Sequence, residues 1–337
     1  MSPRIGIRCD AGPLIGVGHL VRCVALAEEL AGRGVQVVFL GDLGGLPWAA
    51  GQLVSRGLPL VPAAPEPRAL AGQARDLALD GVVLDSYTLD PGTGAALRES
   101  GLRVLAVVDG DLRGQSADLY LDQNLGAEER DVPVPEGSVR LAGAGYVLLR
   151  DAVRRLRARP GEGPARVLCF FGGTDAAGVA PRWAEALAGT GAPFTATVVS
   201  ARPIPSRPQI TVIPPTDALP ALMAGADLVI TATGTSTWEL LHLGVPAGLT
   251  WVAENQLIGY DEVVGRGLAA GLGPGTAAEE AVPLLRDLLT DPLLRRRYGE
   301  RGRALVDGRG RARVADALLG AIRSDPRSAG CPSGRPG

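Results

Sequence analysis

The segment "RIGIRCDAGPLIGVGHLVRCVALAEELAGRG" (residues 4–34) indicates the fold class, because an apolar run, a glycine-rich turn and an amphipathic pattern follow one another in it. Residues 4–10 are largely apolar, as in a strand that is buried on both faces. In residues 20–34 apolar side chains recur at helical spacing, and Gly32 and Gly34 close the pattern. This order predicts a strand and a helix of a parallel α/β sheet.

The same alternation of apolar runs and helical patterns returns in two parts of the chain, which predicts two parallel α/β domains, over residues 1–155 and 165–310. Between them "RRLRARPGEGPAR" (154–166) is basic and rich in proline and glycine, as interdomain linkers often are. Residues 276–323 show amphipathic helical patterns, and we expect the tail 324–337 to be disordered. Apolar runs that we interpret as strands or as the starts of strands lie at 35–42, 81–87, 102–111, 117–124, 166–175, 194–201, 210–215, 226–244 and 246–251.

The charge balance argues against nucleic-acid binding. The chain has 34 basic and 36 acidic residues and a net charge of −2, so it lacks the positive field that non-specific binding to nucleic acid requires. Its four cysteines form no CxxC pair, and no apolar run reaches the roughly 18 residues that span a bilayer. We therefore expect a cytoplasmic protein without a transmembrane segment whose partner is a small molecule, and the sequence leaves its oligomeric state open.

The turn Gly16-Val17-Gly18-His19 follows the first strand and precedes a helix. Backbone amides of such turns can approach an anion, and a helix N-terminus favours negative charge, although many such turns merely connect a strand to a helix. A histidine at a helix start tends to stay neutral, so His19 could accept a proton from an attacking hydroxyl or from water. The alternative is that His19 only caps the turn.

Two further turns offer hydrogen-bond donors for a phosphate group. In "FFGGTD" (170–175) the residues Gly172, Gly173 and Thr174 follow a buried strand, and Asp175 is interpreted as a cap of the next helix. In "TATGTSTWELLHLGVP" (231–246) Thr235, Ser236 and Thr237 open a helix, and we place Glu239 in its first turn. Its carboxylate either binds the hydroxyls of a ribose or complements the helix dipole, whereas Trp238 and His242 are expected to pack.

Other polar residues that follow strands could contact a sugar or could only cap turns. Asp109-Gly110-Asp111 resembles a metal-binding pair of carboxylates, but we favour turn chemistry, because the two donor turns can neutralise a diphosphate without a cation. We therefore expect neither a metal nor a cofactor. The residues in this group are Asp85, Ser86, Tyr87, Asp109, Asp111, Asp122, Gln123, Asn124, Asn255 and Gln256.

Taken in order, these motifs resemble those of one family. "RCDAGPLIGVGHLVRC", "VLDSYTLD", "YLDQN", "GAGYVLLRDAV", "FFGGTD", "GTSTWELLHLGVP", "AENQ" and "DGRGRARV" are similar to motifs of the hydrolases that act on UDP-2,4-diacetamido-2,4,6-trideoxy-β-L-altropyranose in pseudaminic acid synthesis. They also resemble spore-coat polysaccharide glycosyltransferases and, more distantly, the N-acetylglucosaminyltransferase that forms lipid II. The resemblance extends from residue 4 to about residue 320.

The resemblance implies a GT-B fold, in which two Rossmann-like domains face a cleft and the final helix, 311–323, packs back on the first domain. The second domain would hold the nucleotide, with the diphosphate at Gly172, Gly173, Thr174, Thr235, Ser236 and Thr237 and the ribose at Glu239. In the same comparison His19 would be the general base, and Tyr87, Asn255 and Gln256 would contact the sugar.

The chain departs from the hydrolases where they typically have Asp-His-Tyr, because it has Asp85-Ser86-Tyr87. A polar group expected near the sugar is thus shorter, which favours transfer over hydrolysis. We predict an inverting, metal-independent glycosyltransferase that takes a nucleotide sugar, UDP-linked by resemblance, and a small soluble acceptor, with His19 and Tyr87 as catalytic residues. The alternatives are a UDP-sugar hydrolase with water as the nucleophile, and a nucleotide-sugar epimerase or binding protein.

Overall fold

The apolar runs of the first half form a parallel sheet of seven strands in the computed structural model, which describes residues 2–13, 15–159, 161–173 and 175–324. Ile5 and Ile7 of the first strand are fully buried and pack against the first helix, as the uninterrupted apolar pattern predicts. The elements of this half are β1 (Arg4–Cys9), α1 (Gly18–Gly32), β2 (Gln36–Leu40), α2 (Pro47–Val54), β3 (Leu60–Val61), α3 (Pro67–Asp76), β4 (Gly81–Asp85), α4 (Thr93–Glu99), β5 (Arg103–Val107), β6 (Leu119–Asp122), β7 (Val139–Ala142) and α5 (Asp151–Arg154).

The second half contains a parallel sheet of six strands. Its core is built around Trp183, which is fully buried and donates its indole N–H to the carbonyl of Gly275 over 3.0 Å. The elements are β8 (Ala165–Phe170), α6 (Ala180–Gly189), β9 (Phe194–Val199), β10 (Ile210–Ile213), α7 (Leu219–Gly225), β11 (Leu228–Ala232), α8 (Thr235–Leu243), β12 (Ala247–Trp251), α9 (Leu257–Gly265), β13 (Ala270–Pro274), α10 (Val282–Thr290), α11 (Pro292–Leu305) and α12 (Gly310–Arg323).

The strand order places a crevice in each sheet. The orders are β3-β2-β1-β4-β5-β6-β7 and β10-β9-β8-β11-β12-β13, so the direction of winding reverses between β1 and β4 and again between β8 and β11. Ligands of open α/β sheets bind beyond the carboxyl ends of the strands at such reversals. A binding site is therefore expected at the loops that follow β1, β4, β8 and β11.

Three strands, β3, β7 and β13, were not predicted from the sequence, and each lies at the edge of a sheet. β3 has only two residues, β7 contains an arginine, and β13 contains two glycines and ends in Pro274. Proline is tolerated in an edge strand because one side of the strand needs no ladder of hydrogen bonds. These three edge strands thus lack the apolar run that marked the other strands.

Helix α12 returns to the first sheet. Val314 and Leu318 are fully buried in the same core as Ile5 and Leu26. At the start of this helix the Arg311 guanidinium lies 3.0 Å from a carboxylate oxygen of Glu28 on α1. The chain therefore crosses between the two sheets twice, at residues 155–164 and again after α11. The domain limits at residues 155, 165 and 310 remain predictions. Of the tail predicted at 324–337, residues 325–337, which include Cys331, lie outside the described residues.

Candidate active site

A cavity of about 1190 Å³ lies between the carboxyl ends of the two sheets and is lined from both of them. We call it the cleft. Thr174 lies outside the described residues, and Thr237 does not line the cleft. The other predicted site residues do line it: Gly16, Gly18, His19, Tyr87, Gly172, Gly173, Thr235, Ser236, Glu239, Asn255 and Gln256.

His19 is the second residue of α1, as the sequence predicts. Its Nδ1 lies 2.6 Å from Oδ1 of Asp85, at the end of β4. An ionised carboxylate can only accept, so the proton of this hydrogen bond belongs to Nδ1. In the neutral ring Nε2 then carries the free lone pair, and no described residue forms a hydrogen bond with it. The imidazole is thus fixed in the tautomer that a general base at Nε2 requires.

Asp85 is completely buried and also holds an arginine from the same helix. Arg22 donates from Nε to Oδ2 over 2.7 Å and from Nη2 to Oδ1 over 2.6 Å. Burial alone would raise the pKa of Asp85, but the Arg22 charge and the His19 ring bring it well below its usual range. The carboxylate therefore stays ionised at any working pH. The Cys23 thiol, whose pKa burial raises, lies 3.3 Å from Oδ2.

Tyr87 lies beside His19 and is 43% exposed. The two ring centroids are 4.5 Å apart and the planes meet at 80°, an edge-to-face contact. The Tyr87 hydroxyl donates to Oδ2 of Asp109 over 2.6 Å, and the Arg113 guanidinium lies 3.9 Å from the ring centroid. Partial burial and then the Asp109 carboxylate raise the pKa of Tyr87 to about 12. Its phenol is therefore held as a donor and is a poor base.

Asp109 has a larger role than the turn chemistry that we favoured. Besides Tyr87 it accepts a hydrogen bond from Nδ2 of Asn124 over 3.0 Å, and it lines the cleft. Asp111 does follow the prediction, since its carboxylate accepts from the amide of Arg113, two residues further on. Ser86 is also a turn residue, because its hydroxyl lies 3.3 Å from that of Thr88 and it does not line the cleft.

In the first glycine turn, the amide of Gly16 is not available for the predicted contact with an anion. The Gly16 amide donates to the carbonyl of Gly12 over 2.8 Å, and Gly12 returns the bond over 3.2 Å, so the Gly16 N–H is occupied within the turn. Gly16 is needed instead for its backbone, with φ of +76°. At Gly18 a Cβ atom would lie 3.2 Å from Oγ1 of Thr235 in the other half, so this position serves the close approach of the two halves.

In the turn after β8 the two described glycines remain available for the predicted phosphate contact. Gly172, with φ of +68°, and Gly173 are exposed in the cleft, and neither amide donates to another described residue. A Cβ at Gly173 would lie 2.6 Å from Cγ2 of Val17, so the first half packs directly on this turn. Asp175 is not the N-cap of α6, which is Val179, but its carboxylate accepts from the amides of Val179 and Ala180 at 3.0 and 3.2 Å and so satisfies the start of that helix from the preceding turn.

At the start of α8 only two of the three predicted hydroxyls reach the cleft. Thr235 and Ser236 line it, whereas Thr237 is buried, and its Oγ1 accepts from the amide of Gly234 over 3.2 Å. The sequence pattern of three hydroxyls does not reveal that the third closes the helix start. On the same helix His242 packs as predicted, with Nδ1 2.9 Å from the carbonyl of Val306.

Glu239 is the fifth residue of α8 and thus belongs to its second turn, which corrects our placement in the first. It is 1% exposed, and its Oε1 accepts from Nε and Nη2 of Arg150 at 3.0 and 2.7 Å. This buried ion pair replaces the helix-dipole role that we had considered. Both bonds end on Oε1, so Oε2 retains the capacity to accept a hydrogen bond from a ligand.

Asn255 and Gln256 lie in a 3-10 turn, Glu254–Gln256, between β12 and α9. Oε1 of Gln256 accepts from the amide of Val252 over 2.8 Å, which orients its side-chain amide. Asn255 is exposed. Both remain placed to contact a ligand in the cleft.

Two arginines of the site were missed, Arg22 and Arg150. Arg22 carried a signal, since it follows His19 by three residues and therefore shares a face of α1 with it. The partner of Arg150 is 89 residues away in sequence, and no local pattern indicates it.

The fold places this chain in a structural class. Two Rossmann-like parallel sheets with a cleft between them, and a final helix that returns to the first sheet, define the GT-B fold. No family model matches the sequence. Within the described part of the chain, none of the helices is both long and apolar enough to cross a membrane.

Among known proteins, the chain is 32% identical over 119 residues to SpsG, a spore coat polysaccharide biosynthesis protein of Bacillus subtilis strain 168. That match spans 35% of each chain, so it covers about a third of the relative. The spinosyn forosaminyltransferase SpnP has a TM-score of 0.69 at 16% identity, over 96% of this chain and all of the other. The UDP-GlcNAc 2-epimerase of Neisseria meningitidis, solved with UDP-GlcNAc, has a TM-score of 0.68 at 11% identity, over 94% of this chain and all of the other. These likenesses show the GT-B fold.

Proposed function

We propose that this chain is an inverting glycosyltransferase that takes a UDP-sugar and a small acceptor in the cleft. The observation that carries the proposal is the 2.6 Å contact between His19 and Asp85, which prepares Nε2 as a base at the edge of the cleft. The SpsG match and the fold shared with SpnP and with a UDP-GlcNAc-binding epimerase support a nucleotide sugar as the ligand.

The second half of the cleft would hold the diphosphate. The free amides of Gly172 and Gly173 and the hydroxyl of Ser236 are neutral donors, and the N-terminus of α8 adds its positive dipole end. The Thr235 hydroxyl, which donates weakly to the Gly18 carbonyl over 3.4 Å, would turn to the diphosphate when it binds. Such preorganised donors stabilise charge that develops on a leaving group, often by several kcal/mol. The free oxygen of Glu239 would accept from the ribose. We propose that this donor set works without a metal, and a chelator should leave turnover unchanged.

The first half would supply the base. Nε2 of His19 takes the proton of the acceptor hydroxyl while the acceptor oxygen attacks carbon one of the sugar. The bond from carbon one to the diphosphate oxygen breaks, and its electron pair leaves with the UDP. Attack from the face opposite the leaving group inverts the anomeric configuration. The resulting imidazolium is stabilised by the ionised Asp85.

The test is a panel of nucleotide sugars, monitored for nucleotide release with and without acceptors, on the parent and on His19→Ala. We expect turnover of His19→Ala to fall by about 10²–10⁴, since general base catalysis contributes that much, while UDP affinity by calorimetry stays within about twofold. The control is His242→Asn, which changes the chain's other histidine, outside the cleft.

Unchanged turnover of His19→Ala would remove the assignment of the base. Nucleotide release at full rate without any acceptor would show that water is the nucleophile, and the chain would then be a hydrolase. Recovery of a nucleotide sugar with changed configuration would show an epimerase, and binding without any release would show a binding protein.

A further inference from the structure

The Arg22 guanidinium lies between two carboxylates at the carboxyl end of the first sheet. It is 6% exposed, binds both oxygens of Asp85, and its Nη1 lies 3.5 Å from Oδ1 of Asp109. Its pKa lies well above the usual value although burial opposes this, because Asp85 and then Asp109 favour the charged form. Arg22 is therefore a permanent buried cation within the site.

Each of the two carboxylates holds a side chain that lines the cleft. Asp85 holds His19 and Asp109 holds Tyr87, so one arginine joins both. Nη2 of Arg22 also lies 3.2 Å from Nδ1 of His19. A cation at that distance opposes a second positive charge on the imidazole, whereas the Asp85 carboxylate favours it.

We propose that Arg22 is a positioning residue that balances the Asp85 carboxylate and so opposes protonation of the His19 ring. Without the arginine, an ionised carboxylate at 2.6 Å would favour the imidazolium, which cannot accept a proton. The inference rests on the proposed function only where it takes His19 as the base.

The other charged and titratable groups near His19 do not supply this balance. From α1 come Arg22 and the neutral thiol of Cys23, and from the end of β4 come Asp85 and the protonated phenol of Tyr87. Behind the phenol, Arg113 lies over the ring and 3.6 Å from Asp109, which it partly neutralises. Across the cleft Thr235 is uncharged, and Glu239 is paired with Arg150.

The experiment is an NMR titration of the imidazole rings, which requires no turnover. The chain has only two histidines, so His242→Asn assigns the signals. In Arg22→Gln we expect the titration midpoint of the His19 ring to rise by about one pH unit or more relative to the parent, since removal of an adjacent charge shifts titrations by that amount. In Arg22→Lys the charge remains, and the midpoint should stay within a few tenths of a unit.

The matched control is Arg113→Gln, which removes an arginine near Tyr87 that does not contact Asp85, and it should move the midpoint less than Arg22→Gln does. An equal midpoint in the parent and in a folded Arg22→Gln would overturn the inference. Arg22→Gln leaves a buried carboxylate without its cation and could unfold the chain. The double variant Arg22→Gln/Asp85→Asn removes the carboxylate together with its cation, so no buried charge is left unpaired. Its His19 ring should titrate close to the parent. A midpoint more than about one pH unit from the parent value would also overturn the inference.

Kinetics then separate this inference from the proposed function. The acid limb of kcat/KM should move to higher pH in Arg22→Gln by the same amount as the NMR midpoint, because the base must first lose its proton. A moved midpoint with an unmoved limb would leave the role of Arg22 standing and would remove His19 as the base.

Discussion

The two halves of the cleft differ in how they are charged. The first half presents ionised groups in pairs, with Arg22 on Asp85 and Arg130 3.7 Å from Asp122. The second half presents mainly backbone amides and hydroxyls. Of the two buried carboxylates that line it, Asp175 accepts from amides at the start of α6, and Glu239 is neutralised from the first half by Arg150. In the proposed function the first half would move a proton and the second half would bind an anion.

This difference has a physical reason. Proton transfer requires groups whose protonation states are set by neighbours, and buried charge pairs provide that. An anion that must leave after the reaction is better held by neutral donors, since a buried fixed cation would bind the product strongly. The comparison predicts that substitutions in the first half act mainly on kcat and that those in the second half act mainly on donor affinity.

The largest effect is expected from Asp85→Asn. The amide preserves the shape but can donate to Nδ1 of His19, which would put the ring proton on Nε2 and remove the base. We expect kcat to fall by about 10²–10⁴ while the dissociation constant for UDP is nearly unchanged. Steady-state kinetics and calorimetry measure the two. Equal losses in kcat and in UDP affinity would contradict the division of the cleft.

Next in size is the loss of stability in Glu239→Gln. Arg150 would keep a buried charge without its partner, which typically costs about 3–5 kcal/mol of unfolding free energy. The matched control is Glu129→Gln, which breaks another contact between the halves, the pair Glu129–Arg266 at 2.9 Å. This pair is exposed, so its loss should cost less than about 1 kcal/mol. Denaturant unfolding measures the free energy of unfolding of both variants. Similar losses in the two would show that the buried pair of Glu239 and Arg150 contributes no more to stability than an exposed pair.

A smaller effect, on affinity, is expected from Gly173→Ala. The new methyl group would displace Val17 and separate the halves at the diphosphate turn. We expect UDP affinity to fall by about tenfold, or about 1.4 kcal/mol. Val17→Ala/Gly173→Ala removes the clash and should recover most of it. A double variant as weak as Gly173→Ala would show that the glycine serves the ligand directly and not the contact with Val17.

The sequence predicted which residues lie at the site better than it predicted the contacts between them. His19, Gly172 and Thr235 follow strands at the reversals of the two sheets, and the carboxyl ends of parallel strands meet at one edge. The bond between Arg22 and Asp85 joins residues 63 apart, and that between Arg150 and Glu239 joins residues 89 apart. Such pairs depend on how whole elements pack, which no local pattern encodes.

Within turns, the residue type was also a weaker guide than the hydrogen bonds. Gly16 and Thr237 have the types that bind phosphate, yet the amide of one and the hydroxyl of the other are used inside their own turns. Tyr87 was predicted as catalytic from the resemblance, and its hydroxyl is committed to Asp109. In each case an internal partner competes with the ligand for the same polar atom.

The smallest effect is expected from Tyr87→Phe, and it tests this last point. Because the pKa of the phenol is raised to about 12, the group stays protonated up to pH 9 or beyond, so its removal should not move the alkaline limb of kcat/KM. The ring of phenylalanine keeps the edge contact with His19, and we expect kcat to fall by less than about tenfold. Tyr87→Ala, which removes that contact as well, should be the more damaging change. A hundredfold loss of kcat in Tyr87→Phe, or loss of the alkaline limb of kcat/KM, would show that the Tyr87 hydroxyl takes part in the reaction. It would also mean that the hydroxyl leaves Asp109 when substrate binds.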